Sequence, residues 1–436
     1  MINIKKNLKP LFSFRIGEST MKKTKILLLI GLLTMILLVS SVSAEKATSL
    51  GNGPFSEFRL TANDPVPAAE FGRSVAIDGN LVAVGAGGAT ADSVVNAGAV
   101  YLYKRQGLVY VPEAKLVAED ASSGAEFGRT VAIKGNMVIV GARFAKVGDL
   151  STAGAAYVYR KYQGSWHFEE KITSPTPANE DNFGRALAVQ GDLLVVTARK
   201  ESTGAQDVGA AYVYVYRDGI WTYQSKLTAS DASSGAYFGQ SVALQGNKLA
   251  IGARNADPNG AGAVYLFHRS GNVWVEDAKV VPSDGKKNDQ FGFTIAISGD
   301  MMTVGARRAD LKDGVDAGAV YVFSLKGDSV KQVIKLTASD TVAGDEFGQS
   351  VAFAGDVIAV GAWKVDIDED NADQGSIYLF RRMGDQWIET DKITASDGIG
   401  GDEFGYSLAA FGNRMVTGAH FADSTAGAAY VLPLKS

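Results

Sequence analysis

An all-β chain folded as a seven-bladed β-propeller of four-stranded antiparallel blades is what this sequence predicts, and three observations predict it. Phe-Gly pairs recur at positions 71, 127, 183, 238, 291, 347 and 404, with spacings of 53 to 57 residues. Each pair opens a short alternating run that ends in a two-residue turn: Gly79-Asn80, Gly135-Asn136, Gly191-Asp192, Gly246-Asn247, Gly299-Asp300, Gly355-Asp356 and Gly412-Asn413. Glycine in that place accepts the positive φ that a tight hairpin needs. No helical periodicity interrupts the repeats, and four antiparallel strands repeated seven times make a propeller.

In chain order, residues 1–20 come first, precede a second methionine and are expected to be a pre-initiator extension. Residues 21–44 begin with Lys22, Lys23 and Lys25, continue through the apolar run Ile26–Ser40 and end on Ser41, Ser43 and Ala44. Basic start, apolar middle and small-residue end are the parts of a secretory signal peptide. The fifteen-residue run would reach about 22 Å as a helix, short of the ~30 Å hydrocarbon core, so cleavage near Ala44 is expected rather than a membrane anchor. Residues 45–53 read as a short linker and 54–436 as the propeller. The seventh repeat stops after its third strand, whereas the mature N-terminus carries a strand with no repeat of its own. Its Arg59-Leu60-Thr61 aligns with Lys226-Leu227-Thr228, the end of a fourth strand. The N-terminal strand should therefore complete the last blade and close the ring, which removes the open edge a linear array would expose.

Within a repeat, the second strand (248–253 in the fourth copy) leads into a loop of variable length. The third strand carries Tyr101, Tyr157, Tyr212, Tyr265, Tyr321, Tyr378 or Tyr430, read as packing groups between blades. The fourth strand often holds Trp and presents Lys115, Lys171, Lys226, Lys279, Lys335 or Lys392, read as guards of the outer edge. An Asp seven residues before six of the seven Phe (Asp64, Asp120, Asp231, Asp284, Asp340, Asp397) reads as a cap of its loop.

The Phe-Gly followed by Gly-Ala resembles the FG-GAP repeat, the propeller unit of integrin α-subunit heads. The fuller pattern is closer to the bacterial and archaeal branch: Lys-Leu-Thr-Ala-Ser-Asp, Phe-Gly, Ser-Val-Ala, Gly-Asn or Gly-Asp, Val-Gly-Ala, Gly-Ala-Val-Tyr. The resemblance spans residues 54–436 and implies a seven-bladed propeller, extracellular placement and recognition of protein or glycan. Integrin-type copies often carry an Asp-x-Asp-x-Asp-Gly calcium loop between the first two strands. Here that connection is two residues long in every copy, too short to wrap a cation.

Composition narrows the function. The chain has no cysteine, which excludes disulfides, thiolate metal sites and a cysteine nucleophile. Its formal charge is −4, and removal of residues 1–44 leaves −10, which argues against nucleic acid as a partner. His167, His268 and His420 are the only histidines and fall in different repeats; no Gly-x-Ser-x-Gly or His-Glu-x-x-His occurs.

Two features could bind something. The residue after the second-strand Gly-Ala is Gly87, Arg143, Arg199, Arg254, Arg307, Trp363 and His420 in successive copies. Equivalent positions in a propeller form a ring, so Arg143, Arg199, Arg254, Arg307, Trp363 and His420 are expected to gather on one rim. There arginine suits bidentate recognition of an anion and tryptophan suits stacking on a sugar. The alternative is that acids such as Glu126, just before Phe-Gly, neutralise the arginines. The second feature is Asp366, Asp368, Asp370 and Asp373, whose alternation resembles part of a calcium loop without its glycine and distal glutamate; the alternative is a solvated acidic loop. No cofactor is expected beyond possible Ca2+ there. The expectation is an exported monomer (secreted, periplasmic or cell-surface) without a transmembrane anchor once the leader is cleaved. It would be non-catalytic, binding an extracellular protein or glycan through the rim. The alternatives are a polysaccharide-acting enzyme with its site at the channel mouth and a structural piece of a cell-surface assembly.

Overall fold

The seven Phe-Gly strands line one axis. A computed structural model describes residues 57–256, 259–312, 314–327 and 329–434, and the backbone pairing of residues 49–50; the leader expected at 21–44 and most of the 45–53 linker lie outside these. Blade one has Phe71–Asp78 innermost, then Leu81–Ala86, Ala99–Gln106 and Val109–Leu116 outermost, all antiparallel neighbours. Five further four-stranded sheets repeat that order, and a seventh is built from both ends of the described chain. The turn glycines take φ between 58 and 62°, and the residue that follows them does not have positive φ, the II′ pattern expected for a two-residue hairpin.

Closure occurs where the sequence places it. Glu57–Leu60 pairs antiparallel with Ala428–Pro433 in the register Phe58↔Val431, Arg59↔Tyr430, Leu60↔Ala429. Lys226 faces Tyr212 in the same way within blade three, so Arg59 occupies the recurring fourth-strand lysine position. Glu57 accepts hydrogen bonds from Ser396 of blade seven, as Glu276 does from Ser230 and Glu389 from Ser339 in unbroken blades. Beyond the expected four strands, Ser49–Leu50 adds a fifth to this blade, pairing with Glu57 and Phe58.

Each apolar core lies between two blades. One cluster joins Phe58, Val416, Ala429 and Val431 of blade seven to Phe71, Val84 and Tyr101 of blade one, and six similar clusters occupy the other junctions. The Phe of each Phe-Gly is fully buried and meets its blade's recurring tyrosine, edge-on in six blades, as in Phe71–Tyr101 at 5.4 Å and Phe404–Tyr430 at 5.3 Å, and tilted in Phe183–Tyr212. Across six of the seven junctions a parallel bridge ties the glycine just before a third strand to the next Phe; Phe71↔Gly427 is the one that shuts the ring. A side chain at Gly427 would meet the Phe71 carbonyl at 2.1 Å, and its φ is 91°. Only glycine fits there.

The tyrosines, lysines and aspartates that the sequence suggests for three separate jobs share one. Asp64 accepts from the Tyr101 hydroxyl (2.7 Å) and from Lys115 (2.5 Å), and the same clamp recurs at Asp120, Asp231, Asp284 and Asp340. Burial alone would raise these carboxyls, but lysine and tyrosine outweigh it and hold all five below the ordinary aspartate range. In blade seven the cation is Arg59, 3.0 Å from Asp397, so the closing strand also carries a clamp. Blade three lacks the aspartate, and Glu201 from its second-to-third-strand loop joins Tyr212 and Lys226 instead. A second set also caps backbone: Asp181, Asp289, Asp345 and Asp402 each accept an N–H three residues back.

Candidate functional site

The rim forms because one backbone feature repeats seven times. The residue before each Phe-Gly is left-handed: Glu70, Glu126, Asn182, Tyr237, Gln290, Glu346 and Glu403 have φ of 51 to 61°. None of them is glycine, so each carries conformational strain. The residue seventeen positions later is the rim position of the same blade, and the two side chains meet in five blades, in blade four through Arg254 over the Tyr237 ring. Arg143 makes a fork to Glu126 (2.7 and 2.9 Å), Arg307 donates to Gln290 (2.9 Å), Trp363 Nε1 donates to Glu346 (3.0 Å), and His420 Nε2 lies 3.3 Å from Glu403.

The rim residue also reaches forward to the residue after Phe-Gly in the next blade. Arg199 donates to Gln240 (3.0 Å), Arg307 to Gln349 (3.0 Å), His420 meets Arg73 (2.8 Å), and Trp363 packs edge-on against Tyr406 at 5.5 Å. Four of the six predicted rim residues thus reach into the next blade, and the six differ in charge. Arg143 and Arg307 face carboxylates, Glu126 and Glu346 respectively. Blades three and four present Asn182 and Tyr237 in place of a glutamate. Arg199 and Arg254 both lie over the Tyr237 ring, at 5.7 and 5.0 Å, and neither has a carboxylate partner among the described residues. Burial and then the neighbouring Arg254 and Arg143 lower Arg199 to about 10. Burial also lowers Arg254.

His420 is completely buried; burial, Arg73 and Arg129 push it down to about 2, so it stays neutral. Burial drives Glu403 up to about 8 against the opposing pull of Arg73. The other two histidines are exposed and far in sequence: His268 pairs with Asp277 on its own blade, and His167 is on blade two's outermost strand. The four aspartates of the acidic loop do not converge. Asp366 accepts the Asp373 N–H (2.8 Å), and Asp368 accepts the Asp370 N–H (3.0 Å) and the Asn371 amide (2.8 Å). Among the described residues no three His, Asp or Glu side chains group as metal ligands do.

One ring of residues escapes a reading based on the Gly-Ala position. The residue after Phe-Gly is Arg73, Arg129, Arg185, Gln240, Phe293, Gln349 and Tyr406, and all seven line an axial cavity of about 290 Å³. The same alignment of copies would have revealed it, had the position beside Phe-Gly been compared as the one beside Gly-Ala was. Below these side chains, Ser74, Thr130, Ser241, Ser350 and Ser407 each donate to the Phe-Gly glycine carbonyl of the following blade.

A closed propeller with this seam defines the class, and the repeats themselves define the family. The FG-GAP repeat model matches residues 55–103, 110–159, 166–214, 221–267, 274–323, 330–380 and 387–432. The chain belongs to the FG-GAP repeat family. Each matched unit runs from an outermost strand through the next blade's third strand, the offset that closure by Glu57–Leu60 requires. No curated protein matches the chain. Among solved structures it is similar to the crystal structure of the Saccharomyces cerevisiae Sqt1, at 9% identity, covering 83% of this chain and 82% of that one with a TM-score of 0.47, a likeness too distant to bear on function.

Proposed function

We propose that the chain is an exported, non-catalytic recognition module that holds an extracellular protein or glycan over the channel mouth, with Arg199 and Arg254 as its principal contacts. The observation behind this reading is the unequal neutralisation of the rim: Arg143 and Arg307 face glutamates, while Arg199 and Arg254 have only the Tyr237 face and the Gln240 amide oxygen. Guanidinium groups held at a mouth without counter-charges are poised for carboxylate, sulfate or hydroxyl partners. FG-GAP propellers are commonly extracellular and typically non-enzymatic, in keeping with the reading. No helix among the described residues is long and apolar enough to cross a membrane.

The test is a glycan array and a set of candidate surface proteins probed with wild type and the Arg199→Ala/Arg254→Ala double variant. Binding that falls at least about tenfold in the variant with an unchanged melting temperature supports recognition. A lowered melting temperature with binding intact would make the two arginines scaffold only.

A further inference from the structure

The axial cavity is lined by three arginines from consecutive blades, Arg73, Arg129 and Arg185, and among the described residues no carboxylate lines it. Arg73 and Arg129 have glutamates at 3.6 and 3.5 Å, whereas Arg185 has none among the described residues. The Arg185 Nε makes no hydrogen bond, and burial first, then Arg199, Arg129 and Arg143, depress its pKa strongly. Tyr406 shows the same field from the other wall: burial would raise its phenol, yet Arg129, Arg73, Arg185 and Arg307 together bring it below its ordinary value.

Hydrogen-bonding capacity points the same way. Five of the six serine and threonine hydroxyls of the wall, all but that of Thr294, are spent on backbone carbonyls, and the Gln349 oxygen accepts from Arg307. Gln240 is 2% exposed, and its oxygen is held by Arg199. Its amide nitrogen is therefore a donor with no acceptor. Like charges and a buried orphan donor are each unfavourable to leave unanswered. One group answers both: an oxygen-rich anion that accepts several N–H bonds at once.

We infer that the axial cavity is an oxyanion socket, in which Arg185, Arg129 and Arg73 with the Gln240 amide take a carboxylate or sulfate group, either free or as the charged substituent of a glycan held at the rim. At about 290 Å³ it is near the lower end of ligand pockets, which suits a small anion or the tip of a larger ligand. The inference rests on the same face being the binding face. It adds residues that the rim ring does not contain.

The experiment is calorimetric titration of the full mature chain with sulfate, citrate, trigalacturonate and the neutral maltotriose, at an ionic strength fixed with sodium chloride. Heat with sulfate or citrate identifies a free-anion socket, and heat with trigalacturonate alone identifies a glycan substituent. Either result supports the socket, provided that Arg185→Gln weakens it about tenfold or more and Arg185→Lys, which keeps charge but loses the fork, falls between. Arg185→Gln should also melt higher than wild type in chloride alone, because it relieves repulsion. Silence from all three oxyanions, or undiminished heat in Arg185→Gln, overturns the socket; should Arg185→Gln not fold, Arg129→Gln is held to the same criterion. Maltotriose binding with silent oxyanions would overturn the socket while leaving the rim reading intact.

Discussion

Thr197 stands where other copies have a glycine, as Gly85 and Gly252 show. At Gly85 and Gly252 a side chain would collide with the next blade's Phe-Gly carbonyl at 2.0 to 2.1 Å, and with the hydroxyl of Ser74 or Ser241 at 2.4 Å. Blade three has Ala186 in place of that serine, which empties the hydroxyl's space. Thr197 fills it and donates its own hydroxyl to the Gly239 carbonyl at 2.7 Å. The two positions are one device written two ways. Thr197→Gly should therefore cost about 1–3 kcal/mol by leaving a buried carbonyl unpaired, and Ala186→Ser should overpack. The double variant Ala186→Ser/Thr197→Gly should recover most of the loss, a coupling that a double-mutant cycle in denaturant measures; additive losses would contradict it. Residue-level reading from sequence found each member of the clamps, Tyr101, Lys115 and Asp64 among them, but gave them separate roles. Periodicity reports which positions are equivalent between copies. It does not report which of two equivalent positions touch, and a substitute such as Glu201, supplied from a different loop, breaks the pattern altogether.

Among the elements, the seam between blades seven and one has the most unusual electrostatics. His420 and Glu403 lie 3.3 Å apart with Arg73 beside them, and Asp373, Lys364 and Glu70 also act on the carboxyl. With Glu403 at about 8, the fold keeps a proton that the unfolded chain releases near its ordinary value of 4.5, so stability falls as pH rises between those limits. His420, at about 2, acts in the opposite sense: its contribution is present above about pH 6.5 and is lost as pH falls below. Between pH 6.5 and 8 Glu403 therefore acts without opposition from His420. Thermal melts across that window should show the wild-type midpoint dropping by about two degrees and Glu403→Gln dropping markedly less; parallel curves would mean the carboxyl is already ionised in the fold. On the acid side the clamps add to the loss from His420. Asp64 and its four counterparts have lowered values, so their support disappears as pH falls through their folded range, although each half-exposed pair is worth no more than about 1 kcal/mol.

At the scale of the whole molecule, sequence reading located every blade, because a strand pattern repeated seven times specifies its own period, and it placed the closing strand in the observed register. The channel mouth was legible in part. Comparing copies at one position gave the rim ring, while the bore ring of Arg73, Arg129 and Arg185 sits three residues from the left-handed positions, where the same comparison lists the residues but only the arrangement of the strands around one axis shows that they share a cavity. Closure also decides the charge there, since His420 of the last blade reaches Arg73 of the first. Rim and bore alike depend on Glu57–Leu60 completing its own chain's last blade. A cysteine-free sequence allows a direct test with Leu60→Cys and Ala429→Cys, register partners buried in the same core. Under oxidising conditions a ring closed in this way predicts a single intramolecular disulfide at low protein concentration, seen as faster non-reducing gel migration and a melting temperature raised over the reduced form. Free thiols after oxidation, or a disulfide that appears only between chains, would show that the ring is not shut by its own N-terminal strand.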